Sequence, residues 1–152
     1  MKKTTNLVWG GRFEYDSSDI LKRINNSISF DYNLAHQDIK LNKQYAKSLF
    51  KAKILSVDEL KKINVALDDI HQEVKKKKFK FSDDFEDIHM NIEMALRKRV
   101  GRLAGKLHTG KSRNDQVVTD VKLWTKEKIK NVIDKIKKIQ KTIIKKSESN
   151  LN

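Results

Sequence analysis

Between Gly105 and Asn114 the chain reads GKLHTGKSRN, which places two glycines, three cations, a histidine and three hydroxyl or amide side chains in ten positions. Such a stretch raises the question of whether it binds a nucleotide. Its first eight residues, Gly105 to Ser112, fit G-x-x-x-x-G-K-[ST], the pattern of a loop that wraps nucleotide phosphates. That loop works only when a buried strand delivers the chain to it and a helix follows. The residues before it, EMALRKRVGRLA, carry four basic side chains in twelve positions and cannot form the apolar central strand of a parallel sheet. No later apolar strand ends in an aspartate for Mg²⁺, so nucleotide binding is not expected. Arg113, flanked by Ser112 and Asn114 at the start of a helix, is chemically suited to hold a carboxylate through charge-assisted bonds and free N–H groups. Serine and asparagine before a helix are also common caps, and a helical histidine such as His89 is commonly structural.

These residues need helices to position them, and the chain is suited to making helices. It has no proline and five glycines in 152 residues, so the strongest helix breakers are nearly absent. The glycines cluster at Gly10 and Gly11 and again at Gly101, Gly105 and Gly110, marking irregular backbone on either side of a helical middle. Over 34–52, Leu34, Leu41, Tyr45, Leu49 and Ala52 share a predicted inner face. Ser56 and Glu59 form a capping box, followed by Leu60, Ile63, Leu67, Ile70 and Val74 in steps of three and four. Asp83, Asp84, Glu86 and Asp87 open a further helix carrying Ile88, Ile92, Ala95 and Val100 inward. A long helix is predicted from about Ser112 to at least Lys146. Val117, Val121 and Trp124 form one stripe; Ile129, Val132, Ile136, Ile139 and Ile143 form a second. A helix on the order of 50 Å exceeds what a domain of this size covers, so that face must meet something outside this chain or another copy of it. The fold class is all-α, with an N-terminal helical domain over 1–111 and the start of a long helix over 112–152.

A content of 38% hydrophobic residues supports one domain with a core. No apolar run approaches a membrane span and no signal-peptide h-region follows Lys2 and Lys3, so no membrane partner is expected. The absence of cysteine excludes disulfides and thiolate metal sites and fits a cytoplasmic location. The net charge of +14 is lysine spread along every segment, and its densest run, Lys75 to Lys78, sits at a predicted helix end. That is a solvated surface pattern, so nucleic acid is not expected as a partner. A basic nucleic-acid binder is kept as a rival, with steep salt dependence as its signature.

Read to Asp120, the same stretch becomes GKLHTGKSRNDQVVTD, which resembles the HTGRSRNDQ signature of the argininosuccinate lyase family in the fumarase/aspartase superfamily. LVWGGRF at 7–13, INNSISFDYNLAHQDI at 24–39 and EDIHMNIE at 86–93 are similar to three more motifs of that family, in the same order. The family has arginine where this chain has Lys111, and that replacement creates the G-K-S ending. The resemblance implies cleavage of argininosuccinate to arginine and fumarate without metal or organic cofactor. It also implies a cytoplasmic homotetramer, with sites assembled from several subunits around a bundle of long helices. By position it implies substrate contacts for Ser27, Ser112, Arg113 and Asn114. His89, His108 and Thr109 then lie near the active site, and Trp9 and Arg12 are structural or interface residues.

The match is incomplete. After Asp38 the family commonly reads GS-x-A, whereas this chain has Leu41, Asn42 and Gln44. Lys111 keeps the charge of the family's arginine and loses its planar fork. The T-H-x-Q segment and the GSSxMPQK loop, which supply the family's catalytic histidine and serine, have no counterpart in 1–152, so no catalytic residue is expected in this chain and it should be inactive alone. Two readings follow: the N-terminal part of such an enzyme, or a noncatalytic helical protein or truncated remnant of the same ancestry that assembles through its long helix.

Overall fold

A computed structural model of the chain describes residue 20 and residues 24–151. The expectations for Trp9, Gly10, Gly11, Arg12 and the 7–13 motif lie outside the described residues. Among those described there is no strand, and the class is all-α. A short helix α1 (Ile28–Asp31) runs through a 3-10 turn at Tyr32–Leu34 into α2 (Ala35–Lys51). α3 (Val57–Lys75), α4 (Ile88–Val100), a 3-10 segment (Gly101–His108) and the long α5 (Arg113–Glu148) complete the order.

The short connection between α2 and α3 makes them antiparallel neighbours. α4 packs on both, the 3-10 segment folds back on α4, and only the first turns of α5 dock, chiefly on α2. The core is Ile39, Ala46 and Leu49 of α2, Ile63, Leu67 and Ile70 of α3, and Ile88, Ile92 and Leu96 of α4. Each fully buried isoleucine or leucine contributes about 1.5–3 kcal/mol relative to exposure.

The capping box is present. Glu59 N–H donates to Ser56 Oγ at 3.2 Å and Ser56 N–H to Glu59 Oε2 at 2.9 Å. α4 is capped by Asp87, whose Oδ1 accepts from Met90 N–H at 2.6 Å, so the acidic cluster lies in the turn before the helix. At the end of α3, Lys77 takes φ 56°, a left-handed conformation that glycine usually supplies. Lys78 N–H then donates to Glu73 O at 2.8 Å, closing the last turn. Gly101 (φ 62°) at the C-terminus of α4 and Gly110 (φ 67°) within the 105–114 stretch also have positive φ, which glycine adopts without steric cost.

Two predicted faces are displaced. In α2 the buried residues are Ala35, Gln37, Asp38, Ile39, Asn42, Ala46 and Leu49; of the predicted face Leu49 is buried and Leu34 and Tyr45 pack against the core, while Ala52 lies past the helix end and is exposed. At the start of α5 the buried residues are Gln116 and Asp120, whereas Val117 and Val121 are exposed. In both helices a polar pair four residues apart takes the inner positions, which a count of apolar residues alone cannot register. The second α5 stripe runs free of the domain: Ile129, Val132, Ile136, Ile139 and Ile143 are each at least half exposed.

Candidate active site and its buried polar core

Gly105 to Ser112 does not form a phosphate cradle. α4 and the 3-10 segment stand where a strand would be needed, and Lys111 turns inward. Its Nζ donates to Asn42 Oδ1 and lies 4.9 Å from the centre of the Tyr45 ring. Tyr45 holds the same loop from the other side, its hydroxyl donating to Thr109 O at 2.8 Å. Burial pushes the Lys111 ammonium below the ordinary lysine range, opposed in part by the charge of Asp38.

Ser112 is the N-cap residue of α5, exposed, with no side-chain capping bond. Arg113 and Asn114 follow on the first turn, where N–H groups are free and the helix dipole favours an anion. Asn114 is exposed. Arg113 is half-buried and held on three sides. Its Nη2 lies 3.2 Å from Glu93 Oε2, its Nη1 donates to Gln116 Oε1 at 2.9 Å, and its Nε is 4.0 Å from Asp87 Oδ2. His108 meets the same Glu93, at 3.5 Å from Nδ1.

Ser27 reaches this neighbourhood from the opposite end of the chain. Its N–H donates to Glu86 O at 2.8 Å and its hydroxyl to Asp31 Oδ2 at 2.6 Å. Asp31 in turn accepts from Ile88 N–H. Burial raises the Asp31 carboxyl, and burial with the adjacent Asp87 raises Glu86. Thus Ser27 meets Glu86 in the turn before α4, His108 meets Glu93 on the second turn of that helix, and Arg113 spans the two through Asp87 and Glu93. Thr109 is exposed and joins through its carbonyl alone.

His89 is placed differently. It is buried in the centre of the domain, with Nδ1 2.8 Å from Asp38 Oδ1 and 3.5 Å from Asp120 Oδ2. Asp38 also accepts from Gln116 Nε2 and from Asn42 Nδ2, the latter at 2.9 Å. Burial favours a neutral Asp38, but the bonds from His89 and Gln116 outweigh it and hold this carboxyl below its usual range. A carboxylate only accepts, so His89 presents Nδ1–H to it. Asp120 is fully buried, and neither of its oxygens receives a donor among the described residues. Burial and the neighbouring Asp38 push its carboxyl up to about 9.

Asp38, His89 and Asp120 offer oxygen and nitrogen atoms within 4.8 Å of one another, a spacing compatible with a small cation. The surrounding donors suit a proton better. Gln116 already donates into Asp38, and Lys111 supplies positive charge to both carboxyls. Sequence reasoning missed Asp38, Asn42, Glu93, Gln116 and Asp120 as members of this network. Its signal was present as three polar pairs at i, i+4: Asp38 with Asn42, His89 with Glu93, and Gln116 with Asp120.

The departures flagged in the sequence have locations. Leu41 is half-buried in the wall of an open groove of about 400 Å³ between α2 and α5, lined also by Tyr45, Ser112 and Leu123. Gln44 is exposed on the same groove. Asn42 is the partner of Lys111.

Comparison with known proteins matches residues 11–151 to a family model described as lyase. The chain is 46% identical over 145 residues to an argininosuccinate lyase of Ehrlichia ruminantium (strain Welgevonden), covering 95% of this chain and 31% of the relative. It is 48% identical over 147 residues to that of Ehrlichia canis (strain Jake), covering 97% and 31%. It is 41% identical over 144 residues to that of Bacillus anthracis (strain CDC 684 / NRRL 3495), covering 95% and 31%. The chain therefore spans about 31% of the length of the curated relatives it matches. With the family model matching nearly the whole chain and the fold all-α, the chain belongs to this lyase family.

Proposed function

We propose that this chain supplies the substrate-anchoring part of an enzyme that cleaves argininosuccinate to arginine and fumarate. The observation that carries the reading is the placement of Ser27, Arg113 and His108 along the N-terminal half of α4 and the turn before it, with the α5 N-terminus beside them. Arg113 and the free N–H groups of the first turn hold a substrate carboxylate. They also oppose the negative charge that builds on it when the proton on the adjacent carbon leaves. Asn114 and Ser112 add neutral donors, and Ser27 contacts substrate from the α1 side. Glu93 keeps Arg113 from swinging into solvent. The base and acid come from segments outside 1–152, and the residues here bind and orient.

The same reading gives the long helix its role. The division near residue 112 separates a substrate-anchoring domain from a rod whose isoleucine face joins a homotetramer. No helix among the described residues is long and apolar enough to cross a membrane, and we place the enzyme in the cytoplasm. A second reading, a noncatalytic helical assembly protein, is favoured only by that exposed face.

A chimera in which residues 1–152 replace the matching segment of the Ehrlichia canis relative tests the proposal. Fumarate release from argininosuccinate, followed by ultraviolet absorbance, is expected from the chimera. Arg113→Ala and Asn114→Ala should each lower it at least about a hundredfold, the scale for one lost anion-stabilising donor. A folded chimera without fumarate release, or alanine variants with normal turnover, would contradict the proposal.

A further inference from the structure

The function proposed above uses Arg113 and leaves unexplained why two carboxyls and a histidine are sealed together beneath it. Asp38 and Asp120 have 0% exposure and His89 2%. Asp38 is well supplied with donors: His89 Nδ1–H, Gln116 and Asn42. Among the described residues Asp120 has none, and it lies against the Asp38 carboxylate, which could accept from it. The charged and titratable groups facing the pair are Asp38 from α2, His89 and Glu93 from α4, Lys111 from the loop, and Asp120 and Arg113 from α5. Of the two permanent cations among them, Arg113 is paired with Glu93 and Lys111 is weakened by burial, so two buried negative charges side by side are poorly offset. A proton on Asp120 removes one charge and turns the orphaned carboxyl into a donor.

We propose that Asp120 holds a proton in neutral solution and donates it to Asp38, forming a clasp that fastens α5 to the domain and, through Gln116, sets the position of Arg113. The connection is continuous: Asp38 accepts from the amide nitrogen of Gln116, and the amide oxygen of Gln116 accepts from Arg113. Gln116 is therefore a positioning residue, oriented at one end by the carboxylate that Asp120 keeps single. Ionising Asp120 sets two carboxylates side by side and draws Lys111 and Gln116 toward the second charge. Arg113 loses its Gln116 contact as a result. Substrate relevance of this clasp rests on the proposed function; the proton does not.

The test is carboxyl carbon NMR of the 152-residue chain with labelled aspartate, recorded with the Arg113 guanidinium Nε–H signal across the pH range. At pH 7 one aspartate should show the neutral-acid shift and move to the carboxylate position only in alkaline solution, with a midpoint near 9. The Arg113 signal should move with the same midpoint. Asp120→Asn, which keeps a neutral donor to Asp38, should delete the neutral signal and leave Arg113 unresponsive over that range. Should every aspartate be in carboxylate form at pH 7 in the unmutated chain, the clasp does not exist, whatever the variant does. An Arg113 signal that still moves in Asp120→Asn would sever the relay. A neutral-acid signal that appears only after a chelator is added would assign the site to a cation and overturn the proposal. None of these readouts involves substrate, so a chimera that releases no fumarate leaves the clasp standing, and a missing proton leaves the lyase reading standing.

Discussion

The ammonium of Lys111 donates to the side-chain oxygen of Asn42, joining two positions at which the chain departs from the family pattern it resembles. A lysine is a point donor and needs no planar partner, so a single amide oxygen satisfies it where a guanidinium would want a fork. The two departures form one unit in which each side chain suits the other.

That pairing predicts non-additive stability. Asn42→Ala leaves a half-buried ammonium without its acceptor and should cost about 1–3 kcal/mol. Lys111→Met removes the donor instead. In urea denaturation the double variant should lose less than the sum of the two singles. Additive losses would show that the contact contributes nothing.

Asp120 predicts the sign of a pH dependence. Its folded-state carboxyl lies far above the unfolded value, so its contribution is fully present below about pH 4 and is lost as pH rises toward about 9. Within that window each pH unit removes at most about 1.4 kcal/mol from this source. Asp38, held low, contributes stability in the opposite sense, lost only in acid. Asp120→Asn should therefore gain on the unmutated chain in chemical denaturation as pH rises from 5 to 8. Parallel stability curves for the two proteins would refute the assignment.

At the end of α3, Lys77→Gly should stabilise the domain by roughly 0.5–1 kcal/mol, because Lys77 occupies a left-handed conformation that a Cβ disfavours. Thermal unfolding followed by circular dichroism reads the change. A lower midpoint in the glycine variant would mean that the lysine side chain makes a compensating contact.

The free isoleucine face of α5 predicts association. Sedimentation of the chain should depend on concentration, and Ile136→Glu combined with Ile143→Glu should abolish that dependence while leaving helix content intact. Both residues are at least half exposed, so the change does not touch the domain core. If the double variant sediments as the unmutated chain does, the face is not what associates.

Much of this architecture was legible in the residues. The Ser56 and Glu59 box, the Ile63–Leu67–Ile70 stripe and the extent of the long helix all follow from local capping chemistry and apolar spacing, which act within a few residues. The interior of α2 and the docked face of α5 did not follow, because Asp38, Asn42, Gln116 and Asp120 are polar and count as solvent-facing in any periodicity argument. What holds Asp38, Asn42 and Gln116 inward is mutual satisfaction, with His89, across three helices, a tertiary fact. The candidate site was half legible. Motif resemblance singled out Ser27, Ser112, Arg113 and Asn114, with His89, His108 and Thr109 near them, but the part of Glu93 in holding both Arg113 and His108 required the fold.

α5 is docked at one end only: Gln116 and Asp120 are buried, and Glu127 accepts from Gln37 at 2.7 Å near the limit of contact. Beyond Glu127 the helix projects as a cantilever of about 30 Å. A tilt of one degree at the root sweeps the tip by about 0.5 Å over that length, and the converse holds for a load applied at the tip. Arg113 begins the same rod, about 21 Å behind that root. Whatever grips the isoleucine face thus applies torque to the turn that holds the arginine, and the alignment of Arg113 becomes a mechanical readout of contacts made far from it.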